Sequence, residues 1–164
     1  MSSILDPLVR YVVSCARAFE MDADDILNGR LEESHPGSFR HENYRYAAGV
    51  FLSLYVTPHS ANPYYRNPNA RRQYISLADH WVTAWERSRK SGHPVEYSEW
   101  PPFMVLRGLE QIPSELGAAR LKRWKRFIAS VVEASIPGPF FFTAPNHESW
   151  KMAVASLAGR VLHR

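Results

Sequence analysis

Apolar residues recur at helical spacing in six segments of this chain, and nowhere do they alternate in the two-residue rhythm of a half-buried strand. That feature confines the 164 residues to an all-α fold. The first segment covers about residues 7–20, with Asp6 as its expected N-cap and Pro7 in its first turn. The second runs from about Glu42 to Tyr55, the third from Asn67-Pro68 to about Arg89, and the fourth from about Ser98 to Ile112. Ser114 is the expected cap of the fifth, which lasts to about Ser135, and Asn146 that of the sixth.

The segments are of two kinds, and the kinds alternate. In the third, Tyr74, Leu77, Ala78, Trp81 and Trp85 form one stripe; in the fifth, Leu121, Trp124, Ile128 and Val131 do, opposite a basic run from Arg120 to Arg126. Such one-faced helices border water. The second, fourth and sixth are apolar nearly all round, as helices wrapped by neighbours are. The first is mixed, with Arg10, Ser14 and Arg17 marking a wet edge. Alternating outer and inner helices are what stacked helical hairpins produce. The expected architecture is therefore a single helical domain over residues 1–164, forming an incomplete α/α toroid. Its open ends call for a further domain or an oligomer partner to cover them. A compact six-helix bundle is the competing arrangement.

Composition narrows the function. No apolar run reaches the roughly 18 residues of a membrane span. The first residues lack the basic and apolar regions of a secretory signal, so no membrane association and a cytoplasmic location are expected. Cys15 is the lone cysteine, and His147-Glu148 is followed by Lys151 where a zinc-binding helix needs a second histidine. No glycine-rich phosphate loop is present, so neither a metal nor a cofactor is expected. The net charge of +4 is mild, and the basic run around Trp124 reads as a solvated outer face; no nucleic-acid partner is expected.

If successive helices run antiparallel, the loops Gly29 to His41, Lys90 to Tyr97 and Pro137 to Pro145 share one end with the starts of the inner helices. That end gathers His41, Asn43, Tyr44, His93, Glu96, Tyr97, Glu99, Trp100, Asn146, His147 and Trp150, beside Phe140 to Phe142. Helix N-termini favour anions, and aromatic rings among hydroxyl-binding side chains suit a sugar. An oligosaccharide or polysaccharide, an acidic one included, is the expected ligand. His41, Asn43, His93, Glu96, Tyr97, Trp100 and Trp150 are the candidate binding residues.

The stretch Phe142-Thr-Ala-Pro-Asn146-His147-Glu-Ser-Trp150, leading into a helix rich in small residues, resembles the Asn-His motif of the heparinase II/III-like polysaccharide lyases. His59-Ser-Ala-Asn-Pro63-Tyr64-Tyr65-Arg66-Asn67-Pro68 and Glu96-Tyr97-Ser98-Glu99-Trp100 are similar to repeats of that toroid class, so the pattern spans about residues 43–164. The resemblance implies β-elimination on a uronic-acid polysaccharide, which needs a group to neutralise the C5 carboxylate, a base for the C5 proton and an acid for the leaving oxygen. Asn146 and His147 would then handle the carboxylate and the proton, with Tyr44 and Tyr97 at the end where the family's catalytic tyrosine acts. A hydrolase reading instead pairs Glu96 or Glu99 with Glu148 as acid and base. A non-catalytic helical-repeat module, binding a glycan or a protein through the same face, is the third possibility.

Overall fold

The computed structural model describes residues 5–27, 39–91, 100–135 and 145–163. Among them the regular elements are six α-helices and one 3-10 turn, with no strand. They are α1 (Leu5–Leu27), α2 (Phe39–Val56), α3 (Pro68–Ser91), α4 (Trp100–Gln111), α5 (Ala118–Ser135) and α6 (Pro145–Leu162), with the 3-10 turn at Pro113–Glu115. Two compact units, Met1–His80 and Trp81–Arg164, divide within α3.

In the first unit α1 packs on α2. Val9, Val13 and Ala16 of α1 are buried, and Arg10, Ser14 and Arg17 meet water as their spacing requires. Leu5, Leu8 and Tyr11 are exposed as well. Over residues 47–56 of α2 the single exposed position is Ser53, so this part of the helix is wrapped. Asp6 does not cap α1. The helix already includes Leu5, which puts Asp6 inside the first turn, and its carboxylate pairs with His59 Nε2 at 3.1 Å. His59 Nδ1 accepts from the Ala61 N–H at 3.2 Å, so the proton on a neutral ring sits on Nε2 and points at Asp6.

Asn62 closes the end of α2. Its buried amide donates to the carbonyls of Leu54 (2.7 Å) and Thr57 (2.8 Å), and its Oδ1 accepts from the Tyr64 N–H (3.0 Å). Helix C-termini leave carbonyls without intrahelical partners, and here one side chain supplies two of the missing donors. Asn62→Ala strips all three bonds and should cost about 2–3 kcal/mol, because the stranded groups stay inside. The check is the urea midpoint of unfolding, which an unimportant bond set would leave unmoved.

The chain then turns through Arg66, whose φ of 53° is in the left-handed region. Its N–H donates to the Tyr55 carbonyl at 3.0 Å, and its guanidinium lies over the rings of Tyr55 (5.3 Å) and Tyr65 (5.9 Å). Tyr64 is buried, edge-on to Phe51 at 6.5 Å. Asn67 caps α3 as its sequence announces, accepting from the Asn69 N–H at 2.8 Å.

In the second unit α4, α5 and α6 pack pairwise. Trp124, Ile128 and Val131 are fully buried along α5, the stripe read from spacing, and Phe127 joins them. Trp85 of α3 meets Phe127 edge-on at 5.9 Å and donates its ring N–H to Ser130 Oγ at 2.8 Å. Ser114 is not the cap of α5. It lies exposed in the 3-10 turn, and the helix opens at Gly117, whose carbonyl accepts from Leu121 N–H. Gly117 takes φ 72°, a turn that glycine enters without strain.

One expectation fails at α6. Val154, Leu157, Ala158 and Val161 are buried, but Met152 is 67% exposed, and Ala153, Ala155, Ser156, Gly159 and Arg160 also face water. Alanine and glycine swell an apolar count without demanding burial, so a helix that reads as apolar all round is one-faced here.

Candidate functional site

Of the residues expected at the site, Trp100 opens α4, and Asn146 and His147 lie in the first turn of α6. These two helices pack against each other, and near their ends Glu110 Oε1 lies 3.7 Å from Arg160 Nη2. Glu110 also pairs with Arg107 on its own helix. Glu110 is the penultimate residue of α4 and Arg160 belongs to the last turn of α6, so the helices run side by side in the same sense. Trp100, which opens α4, and Asn146 and His147, in the first turn of α6, therefore belong to the same end of this pair. Trp150 follows one turn on. α6 starts at Pro145, one residue ahead of Asn146, the expected cap. Proline there has no N–H to leave unpaired, and the next free N–H groups carry the positive end of the helix dipole.

His41, Asn43 and Tyr44 lie in the first turns of α2, in the first unit. The side chains of these three, and of Trp100, Asn146, His147, Glu148 and Trp150, lie outside the described residues, as do His93, Glu96, Tyr97, Glu99 and Phe140 to Phe142 altogether. Among the described residues no three histidine, cysteine, aspartate or glutamate side chains group to hold a metal ion. No helix among them is long and apolar enough to cross a membrane.

A second polar constellation joins α3 to α5, and nothing in the sequence pattern announced it. Arg123 Nε and Nη2 donate to Glu86 Oε1 (3.1 Å) and Oε2 (2.8 Å), and Nη2 also reaches Thr83 Oγ1 (2.7 Å). The two partners stand 37 residues apart, beyond any local spacing rule. Only the shared stripe of Trp85 and Phe127, which brings the helices together, could have hinted at it. The two-pronged Arg123 bond is the main cause that holds the Glu86 carboxyl below its ordinary value of 4.5. Partial burial opposes it, while the charges of Arg123, Lys90 and Arg126 pull the same way.

A depressed carboxyl stabilises the fold above its unfolded value, and that contribution fades as pH falls through the folded one. Because the Glu86 side chain is 43% exposed, solvent screening limits it. Glu86→Gln should therefore cost less than about 1 kcal/mol at neutral pH, and nothing at pH values where the native carboxyl is already protonated. Melting temperatures of both proteins across pH 2–7 (roughly the carboxylate range) test this. A difference that stays constant through the range would mean that the charge is idle.

No protein-family model, curated protein or solved structure matches the chain.

Proposed function

We propose that the chain is a helical-hairpin array of the α/α-toroid type that acts on an acidic, uronic-acid polysaccharide by β-elimination. The observation that carries this reading is the parallel pairing of α4 and α6, tied at one end through Glu110 and Arg160. It brings the start of α4 to the same end as the Asn146-His147 motif. Hairpins stacked in an array pair helices two apart in the chain, as α4 pairs with α6 and α3 with α5 through Trp85 and Arg123. In such an array the open stripe of Met152, Ala153 and Gly159 is where a further hairpin or a partner packs.

In the proposed reaction the free N–H groups at the start of α6, with Asn146, hold the uronate carboxylate and spread the charge that develops beside it. His147 takes the C5 proton, the C4–O bond breaks, a C4=C5 double bond forms and the leaving oxygen is protonated. Sugar faces stack on Trp100 and Trp150.

Incubation with several uronic-acid polymers, followed by the ultraviolet absorbance of the unsaturated product, tests the reading. Absorbance that grows with time supports it. Binding of a polymer with no product from any of them would leave a non-catalytic glycan-binding module. New reducing ends without the unsaturated chromophore would point to hydrolysis by Glu96 or Glu99 with Glu148.

A further inference from the structure

Positive charge is not spread evenly over this molecule. From Trp81 to its end α3 holds Arg87, Arg89 and Lys90 against one acid, Glu86, and α5 holds Arg120, Lys122, Arg123, Lys125 and Arg126 against one, Glu133. These two stretches outweigh the +4 net charge of the entire chain, so the remainder is net negative.

They also meet. Arg123 bridges to Glu86 and Thr83, and Lys90 and Arg126 both lie close enough to act on the Glu86 carboxylate. One carboxylate thus sits among three cations. Arg87, Arg89, Lys90, Lys122 and Arg126 are exposed, and among the described residues none of them has an ion-pair partner. Beyond the pull of Arg123, Lys90 and Arg126 on Glu86, neighbouring like charges on helices oppose folding, so the fold alone does not call for a cluster of this kind. Lys122 and Arg126 stand four residues apart, about 6 Å along the helix axis, in a row that a repeating polyanion can follow.

We propose that the face formed by the C-terminal half of α3 and by α5 is a second binding surface, which takes an anionic polysaccharide by charge alone. None of the aromatic rings on these two stretches is among the exposed side chains, and Trp81 and Trp85 are half-buried. Trp124 is fully buried, and Trp85 packs edge-on to Phe127 with its N–H given to Ser130. A single-stranded nucleic acid binds through stacking platforms in addition to charge, and none stands among these described residues. Carboxylated or sulfated sugars need only the cations. The inference rests on the acidic-glycan reading above for the class of ligand, not for its cleavage.

Heparin is the probe, titrated into the full chain at several salt concentrations. The wild-type protein should bind at low salt with log K falling linearly against log salt, as counterion release requires. The double substitution K122S/R126S, at exposed positions and with an unchanged circular dichroism spectrum, should weaken binding about tenfold and make the salt slope shallower by about 1.5. Polygalacturonate should show the same loss. No heparin binding at low salt, equal affinity of the double variant, or preference for single-stranded RNA over heparin would each overturn the proposal. If no polymer yields an unsaturated product while the double variant still loses heparin, the catalytic reading falls and this surface stands.

Discussion

His147→Ala should slow formation of the unsaturated product by about 10²–10⁴-fold, the range for losing a positioned proton-transfer group. The expectation follows from where the residue sits, in the first turn of α6, at the end of the α4–α6 pair that Trp100 shares. On the proposed reading the helix N-terminus holds the uronate carboxylate, and the role assigned to His147 is to take the C5 proton. His147→Gln separates the two roles. Glutamine keeps a hydrogen-bond donor for the carboxylate but its amide cannot take up a proton at neutral pH, so its kcat should fall as far as that of the alanine variant. A rise in KM with kcat intact would instead make His147 a binding residue, and the base would have to be sought elsewhere.

Trp124→Ala should cost about 3–5 kcal/mol, the range for truncating a large buried aromatic. Among the described residues Trp124 is the largest of the fully buried side chains, on the stripe it shares with Ile128 and Val131. Small domains are stable by only about 5–15 kcal/mol, so one such loss removes much of the margin. Denaturant unfolding followed by circular dichroism should show a far lower midpoint. Trp124→Phe, which keeps most of the ring volume, should lose less than the alanine variant. Lys122→Ala, exposed on the same helix, should change stability by no more than about 0.5 kcal/mol. If Trp124→Ala unfolded with the wild type, the packing described for the second unit would be wrong.

What could be read from the sequence is what local chemistry decides. The Asn67-Pro68 cap and the Trp124 stripe depend on residues within a few positions of each other, and both stand where spacing put them. Asp6 and Ser114 are equally good capping residues by type. Asp6 was claimed by His59, 53 positions on, and Ser114 by a 3-10 turn that ends at Glu115, ahead of Gly117. Tertiary partners overrule local preference in the first case, and an alternative turn does in the second. The inner character of α2 could be read because its Phe, Leu and Tyr side chains need burial, whereas that of α6 rested on alanine and glycine, which do not. At the candidate site the sequence showed which helix starts carry the polar and aromatic residues. The sense in which α4 and α6 run together came from Glu110 and Arg160, a pair separated by 50 residues and invisible to any spacing rule.

Arg66 carries a consequence for how this protein can drift over generations. A non-glycine residue with that backbone torsion costs on the order of 1–3 kcal/mol. The two tyrosine rings under the guanidinium offset part of it. Glycine at this place would relax the torsion yet leave the rings uncovered, and a ring lost first would make the arginine a liability. Homologous chains should therefore exchange positions 55, 65 and 66 in concert, so that the correlated ancestry of these three residues preserves a record of the turn.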